Sequence, residues 1–314
     1  MINIPYNDQL ADDHARQVSV LLVSRINTVL DNNGFNKGRR KDIPVSLSTE
    51  LRKYLECLLV EKMMIKFLTL KPVGIRIVIR NVLQNYPHFF DKNSDDYQVL
   101  KNVFISHGYD NKLFSKKTFI DNISIDTCPY CNRNYIFSLS KAKKIKPEID
   151  HFFPQTIYPF LGLSYYNLIP SCQTCNGVGG KHFDDTFLNG LVSPYEIEPD
   201  DFLFSYKPAL NKNNPLLFST VDIFFIQEKK KNTNTFKLDD LYKKHDDHVL
   251  ELIIKSKMKY SKKYIKYLMK FKGLELSKKE IDRMILGNFS LEGELHKRPL
   301  SKLYADIGKE LGLI

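Results

Sequence analysis

The chain lacks the features of secreted, membrane-embedded and disulfide-rich proteins. None of its apolar runs reaches the length of about 18 residues needed to span a bilayer. The N-terminus, MINIPYNDQLADD, has no basic stretch followed by an apolar run, so it does not resemble a signal peptide. Five cysteines in 314 residues are too few for a disulfide framework. We therefore expect a cytoplasmic protein without a membrane partner.

What the chain does have is apolar content and positive charge. Its 43% hydrophobic residues are enough for one large domain or for two to three small ones. The net charge is +11, and most of the excess falls in residues 201–314. A basic chain most often meets a polyanion, and nucleic acid is the commonest polyanion. The alternative explanation is an AT-rich genome, which favours Lys, Asn and Ile.

The hydrophobic pattern divides the chain into three regions and predicts an α+β fold that is mainly helical. Residues 1–122 show helical periodicity and no catalytic constellation, so we predict a packing or docking domain. In residues 123–200 Gly, Pro, Asn and Cys cluster, which is typical of a small module that needs a metal to fold. Residues 201–314 begin with two alternating runs, typical of short strands, and continue as basic, mainly helical sequence.

Local signals refine the helical regions. Ser48 is expected to cap a helix over residues 49–68, and the lone Cys57 is expected to lie buried in it. Residues 277–280, SKKE, form a predicted capping box. Pro299 is predicted to lie in the first turn of the last helix.

Two CxxC pairs predict a metal site. They are formed by Cys128, Cys131, Cys172 and Cys175. Two intervening residues let both thiolates of a pair face one ion, and two pairs supply the four sulfur ligands of a closed structural zinc site. A redox CxxC needs no second pair, and an iron–sulfur cluster has no supporting motif here. We predict structural Zn²⁺.

Polar residues lie in order between the two cysteine pairs. Asp150 and His151 are expected at the end of a short strand, and Asn167 before a second strand, NLIP. Ser171 is expected to cap a short helix that carries Asn176. In isolation an Asp-His dipeptide is usually a surface turn, so the prediction of a site depends on this context.

The segment from residue 125 to residue 182 resembles the HNH, or ββα-metal, endonucleases, in the subgroup whose hairpin is braced by two CxxC knuckles. That family has an acidic residue before a His, then an Asn, then an Asn or His on a helix. Here Asn167 is 16 positions after His151, and Asn176 is nine positions after Asn167. The order and spacing of several positions make the resemblance specific.

The resemblance implies a role for each matched residue. His151 would be the general base that activates water, and Asn167 would hydrogen-bond the backbone near it. Asp150 and Asn176 would hold one catalytic Mg²⁺ or Mn²⁺, with His182 as an alternative ligand to Asn176. The implied reaction is phosphodiester hydrolysis that leaves 5′-phosphate ends.

Lysines complete the candidate nucleic-acid surface. The family often has a Lys soon after the helix Asn, but GVGG intervenes here before Lys181, which leaves its phosphate contact in question. A second cluster precedes the catalytic strand and comprises Lys141, Lys143, Lys144 and Lys146. A third cluster follows one helical face and comprises Lys255, Lys259, Lys262, Lys266 and Lys270. This face either contacts the phosphates of a nucleic acid or is simply a solvated helix surface.

The neighbourhood of the second knuckle, YPFLGLSYYNLIPSCQTCN, is similar to HNH subunits of the Septu and retron-linked anti-phage systems. Those subunits pair with an ATPase. The resemblance implies a defence endonuclease that acts on nucleic acid, with DNA favoured over RNA. The alternatives are a tRNA- or RNA-cleaving effector and a non-catalytic, zinc-dependent nucleic-acid-binding module.

Overall fold

The computed structural model describes most of the chain, namely residues 1–38, 43–138, 147–211, 214–258, 266–267, 270 and 276–314. Within these residues helices predominate and strands form three separate two-stranded antiparallel sheets. This confirms the predicted α+β class. The described residues contain no helix that is both long enough and apolar enough to cross a membrane.

The N-terminal part is helical, as its periodicity predicts. Its helices are α1 (Asp8–Asp31), α2 (Thr49–Leu58), α3 (Glu61–Leu68), α4 (Pro72–Asn85), α5 (Asp95–Lys101) and α6 (Lys116–Ile123). A π-helix, Asn102–Tyr109, follows α5 without a break. π-Helices are rare in proteins, and those that do occur are often found at functional sites.

The predicted helix over residues 49–68 is two helices. The side chain of Ser48 accepts a hydrogen bond from the Leu51 amide and caps α2, as predicted. Val60 then adopts an extended conformation and separates α2 from α3. The prediction that Cys57 is buried is wrong, because the buried face of α2 is formed by Leu51, Leu55 and Leu58 and Cys57 lies off that face.

The strands pair with their neighbours along the chain. They are β1 (Gly34–Lys37) with β2 (Ile43–Ser46), β3 (Glu148–His151) with β4 (Leu168–Ser171), and β5 (Leu203–Asn211) with β6 (Asn214–Gln227). The third pair confirms the two strands expected after residue 201. The second pair carries the candidate site.

Seven more helices lie in the described part of the chain after the second strand pair begins. They are α7 (Gln173–Asn176), α8 (Thr186–Asn189), α9 (Lys230–Thr235), α10 (Leu238–Tyr242), α11 (Asp246–Met258), α12 (Lys278–Leu286) and α13 (Ser301–Glu310). A 3₁₀ turn, Lys243–His245, divides α10 from α11. The capping box of α12 is present. Pro299 is not in the first turn of α13, since Leu300 adopts a positive φ of 63° and the helix begins at Ser301.

One hydrophobic cluster runs through all three predicted regions. The N-terminal helices therefore pack directly on the residues between the two cysteine pairs. In one such contact, buried His14 of α1 shares a hydrogen bond of 2.8 Å between its Nε2 and the carbonyl of Leu163. The division at residues 122 and 200 stays a prediction, but the shared core fixes the loop behind the candidate site.

Candidate functional site

The four cysteines of the CxxC pairs meet at one buried point. The sulfur atoms of Cys128, Cys131, Cys172 and Cys175 all lie within 4.8 Å of one another. With zinc–sulfur bonds of about 2.3 Å, a tetrahedral site separates its sulfurs by roughly 3.8 Å. The Sγ atoms of Cys131 and Cys172 are 3.9 Å apart. The cluster can therefore bind a zinc ion, as the spacing predicts.

Hydrogen-bond donors surround these sulfurs. The Arg133 amide donates to Cys131 Sγ at 3.4 Å, and Asn134 Nδ2 donates to Cys172 Sγ at 3.3 Å. The hydrogen bond with Cys128 is the largest cause of a lowered pKa at both Cys131 and Cys172, whereas burial raises the pKa of Cys128 and hydrogen bonds with the other cysteines raise that of Cys175. Because zinc binds thiolates, the donors from Arg133 and Asn134 favour the form of Cys131 and Cys172 that the metal requires.

The β3–β4 hairpin presents the polar residues of the site. Glu148 pairs with Ser171 and His151 with Leu168, so Asp150 and His151 lie at the end of β3. Helix α7 follows β4 directly, in the strand–strand–helix order that the sequence predicts. Ser171 does not cap α7. It is the last residue of β4, and Cys172 occupies the cap position without a side-chain hydrogen bond.

Asp150 is buried and held by two side chains. Tyr130, which lies inside the first CxxC knuckle, donates its hydroxyl to Asp150 Oδ2 at 2.6 Å. Burial, together with the nearby Asp150 charge, raises the pKa of Tyr130 well above its usual range, so it remains a donor. On the other oxygen, Lys181 Nζ lies 3.0 Å from Asp150 Oδ1, and these side chains are only 1% and 3% exposed. The first CxxC knuckle and Asp150, the candidate ligand of the catalytic ion, are thus directly hydrogen-bonded.

The imidazole of His151 is held in one orientation. Its Nε2 lies 3.0 Å from the carbonyl of Gly162, so in the neutral ring the proton is on Nε2 and Nδ1 is an acceptor. The edge of the ring meets Tyr109 of the π-helix, with centroids 4.4 Å apart. Burial lowers the pKa of His151 to about 3, which keeps the ring neutral at physiological pH. The neutral, oriented imidazole can accept a proton through Nδ1, but its low pKa makes it a weaker base than a solvated imidazole.

Asn167 braces the loop between the two strands. Its Oδ1 accepts from the Phe153 amide at 2.7 Å, and its Nδ2 donates to the carbonyls of Phe153 and Leu161 at 3.2 and 3.1 Å. Leu161 immediately precedes Gly162, the partner of His151. Asn167 therefore fixes the backbone that orients the imidazole, which is the kind of contact the resemblance implies.

Asn176 is oriented by a residue that sequence reasoning missed. Its Nδ2 donates to Glu148 Oε2 at 2.7 Å. No described residue donates a hydrogen bond to the amide oxygen of Asn176, so this oxygen can act as a ligand. Glu148 is two residues before Asp150 on β3. Because alternate residues of a strand point to the same face, Glu148 and Asp150 share a face, and the sequence alone could have indicated this.

A cavity of about 250 Å³ brings the polar residues together. It is lined among others by Asp150, His151, Asn176, Lys181 and His182. The two hydrogen-bonded oxygens of Asp150 each keep a second lone pair. A carboxylate and an amide oxygen are donors that Mg²⁺ or Mn²⁺ accepts, so the residues fit such an ion. His182 is exposed and lines the same cavity, which leaves both ligand alternatives in place.

The glycine run after Asn176 returns the chain to the hairpin. Helix α7 ends at Asn176, and the Lys181 amide donates to the Cys175 carbonyl at 2.8 Å. A Cβ on Gly180 would lie 2.2 Å from that carbonyl oxygen, so this close approach requires glycine. The turn buries Lys181, whose Nζ also donates to the His151 carbonyl at 2.9 Å. In this conformation the Lys181 side chain is buried and is not accessible to a phosphate at the protein surface.

Most lysines of the two other predicted clusters lie outside the residues that the structure describes. Outside the described residues lie Lys141, Lys143, Lys144, Lys146, Lys259 and Lys262. Lys255 forms an ion pair of 2.9 Å with Glu251, and Lys266 and Lys270 are exposed. Both lysine surfaces stay predictions.

Comparison with known proteins gives two distant relatives. No family model matches the chain, and no solved structure matches it. The Septu protein PtuB of Bacillus thuringiensis is 27% identical over 145 residues, which are 45% of this chain and 53% of that protein. Protein ea31 of Escherichia phage lambda is 31% identical over 111 residues, which are 33% of this chain and 34% of that protein. The chain thus spans about half and about a third of the lengths of these relatives, and it is similar to a Septu protein over almost half of its own length.

Proposed function

We propose that the chain is a metal-dependent HNH endonuclease of an anti-phage defence system. The observation that carries the proposal is the arrangement at the end of β3. There a neutral His151 with its acceptor nitrogen fixed adjoins Asp150, and both line one cavity with Asn176. The similarity to a Septu protein supports the defence role, and an ATPase subunit is the expected partner. DNA is the favoured substrate.

The reaction assigns one task to each residue. His151 Nδ1 takes a proton from a water molecule as its oxygen attacks the phosphorus. The bond from phosphorus to the 3′ oxygen breaks, and this oxygen leaves with a proton from solvent, giving 5′-phosphate and 3′-hydroxyl ends. A divalent ion held by Asp150 and Asn176 would supply positive charge beside the phosphate. Asn167 and the Gly162 carbonyl keep the imidazole in position.

The cysteine cluster has a separate task in this proposal. A zinc ion bound by the four cysteines would hold the first knuckle against β4 and α7, and Tyr130 of that knuckle donates a 2.6 Å hydrogen bond to Asp150. Structural zinc contributes on the order of 10 kcal/mol of folding free energy in small modules. The zinc would therefore support the site without taking part in the chemistry.

One observation favours a second candidate function. Lys181 already compensates the charge of Asp150, and both side chains are buried. A site held in this way permanently would bind nucleic acid through its basic surface and would not hydrolyse it. The second candidate is thus the non-catalytic zinc-dependent binding module, and it predicts retention of a DNA or RNA strand without cleavage.

A cleavage assay tests the proposal. Plasmid DNA and total tRNA are incubated with wild-type protein and with His151→Ala, with and without Mg²⁺ or Mn²⁺, alone and with the ATPase partner present. We expect wild-type cleavage that needs the divalent ion and a loss of about 10²–10⁴-fold in His151→Ala. The zinc content of both proteins serves as the folding control.

The substrate arms separate the remaining alternatives. Cleavage of plasmid alone supports DNA as the substrate, and cleavage of tRNA alone supports the RNA-directed effector. Equal cleavage by wild type and His151→Ala would remove His151 as the base. Strand retention without cleavage under every condition would support the binding module.

A further inference from the structure

A second cavity lies outside the site described above. Its volume is about 870 Å³, and helix α1, the β1–β2 hairpin and the junction of α5 with the π-helix surround it. This size is within the range of about 300–1,000 Å³ typical of small-molecule sites. Neither cysteine pair nor the β3–β4 hairpin contributes to its described lining.

The described lining of this cavity is cationic and rich in amides. Arg25, Lys37 and Lys101 contribute positive charge, and no Asp or Glu is among the sixteen described lining residues. Surfaces usually intersperse charges of both signs, so a described lining with one sign calls for a ligand of the other. Asn36 and Gln98 add groups that can both donate and accept hydrogen bonds.

Arg25 is held in place before any ligand arrives. Its Nε and Nη2 both donate to Asn102 Oδ1, at 2.8 and 2.6 Å. The guanidinium has five N–H donors, so donors remain for a ligand in a fixed geometry. A planar, oriented guanidinium is suited to a phosphate, which it can bind through two parallel hydrogen bonds.

The π-helix connects this cavity with His151. Its first residue, Asn102, holds Arg25, and its last residue, Tyr109, packs against the His151 ring. Between them, a Cβ on Gly108 would come within 2.8 Å of Leu163 Cδ1, which shows how closely the π-helix approaches the loop behind His151. One element of eight residues thus touches both places.

We propose that this cavity is a binding site for a nucleotide phosphate. The source is either a free nucleotide or a nucleic-acid strand, and the cations bind the phosphate while the amides contact the base or sugar. The proposal does not depend on the nuclease function, since binding is measured without cleavage.

The test uses direct binding to two probes. One is ATP, measured by calorimetry, and the other is a labelled 12-nucleotide strand, measured by fluorescence polarisation in a His151→Ala background so that cleavage cannot interfere. The variant is Lys37→Glu with Lys101→Glu, both exposed side chains. The charge-matched control is Lys62→Glu with Lys66→Glu, two exposed lysines on α3 outside the cavity.

We expect at least tenfold weaker binding of one or both probes by the double variant and less than a twofold change in the control. Binding of ATP alone would identify a free nucleotide, and binding of the strand alone would identify a nucleic acid. The Arg25→Lys variant is expected to lose affinity as well, because an ammonium lacks the planar fork. If wild type binds neither probe at 1 mM, or if the double variant binds like wild type, the proposal is overturned.

Discussion

The cysteine cluster and the cavity beside β3 are two buried polar centres, and their polar groups are stabilised in different ways. The cluster consists of four buried cysteine side chains whose sulfurs converge on one point. In the cavity, Asp150 is already compensated by Lys181 and Tyr130. A buried carboxylate is costly without a partner. From this comparison we expect the first centre to depend on a metal ion for folding and the second to be stable without one.

The largest effect is expected from breaking the first centre. Cys128→Ala removes one of four zinc ligands, and the lost free energy, on the order of 10 kcal/mol, is comparable with the whole stability of a domain. We expect loss of zinc and loss of the folded module, measured by metal analysis and circular dichroism. Cys57→Ala is the matched control because Cys57 is exposed. A folded, zinc-free Cys128→Ala protein would contradict the account.

Removing Lys181 sharpens the contrast at the second centre. Lys181→Met leaves Asp150 buried and uncompensated, which costs about 3–5 kcal/mol in comparable pairs. We expect a lower free energy of unfolding in urea, and a larger stabilisation by Mg²⁺ in the variant than in wild type, because the ion would then replace the ammonium. Lys62→Met provides the exposed control. An identical response of variant and wild type to Mg²⁺ would show that the ion does not bind at Asp150.

The hydrogen bond between the two centres can be removed alone. Tyr130→Phe leaves Asp150 Oδ2 without its donor, at a cost of about 1–3 kcal/mol. We expect unchanged zinc content together with reduced stability and reduced cleavage, so that the centres become separable. Tyr135→Phe, on a half-exposed ring, is the control. Loss of zinc from Tyr130→Phe would mean that the two centres form a single unit.

The smallest effect is expected at Glu148. Glu148→Ala removes the acceptor that orients Asn176, and loss of such outer contacts typically lowers metal affinity by about 10–100-fold. Titration with Mn²⁺, followed by calorimetry, measures this change. Glu292→Ala changes an exposed carboxylate and should leave the affinity unaltered. Unchanged Mn²⁺ affinity in Glu148→Ala would exclude Asn176 as an oriented ligand.

The sequence predicts what depends on local spacing. The CxxC pairs, the order of two strands and a helix, and the caps at Ser48 and Ser277 depend on residues a few positions apart, and the structure contains each of them. Cys57 and Pro299 show the limit of such signals. The buried face of α2 and the start of α13 are set by packing against distant segments, which no local pattern specifies.

The partners of Asp150 could not be predicted for the same reason. Lys181 reaches it only because the glycine run folds back on Cys175, and Tyr130 reaches it only because the two knuckles meet. Helix α7 ends where the glycine run begins, but the effect of the glycines on Lys181 is a tertiary one. Glu148 is the exception, since its position on β3 follows from strand periodicity.

We expect the two centres to hold different metals for different purposes. The metal content of wild type and Asp150→Asn after equilibrium dialysis against Mn²⁺ tests this directly. We expect one zinc in each protein, and one Mn²⁺ in wild type that Asp150→Asn lacks. Equal Mn²⁺ in both proteins, or loss of zinc from Asp150→Asn, would show that the two centres do not hold separate metals.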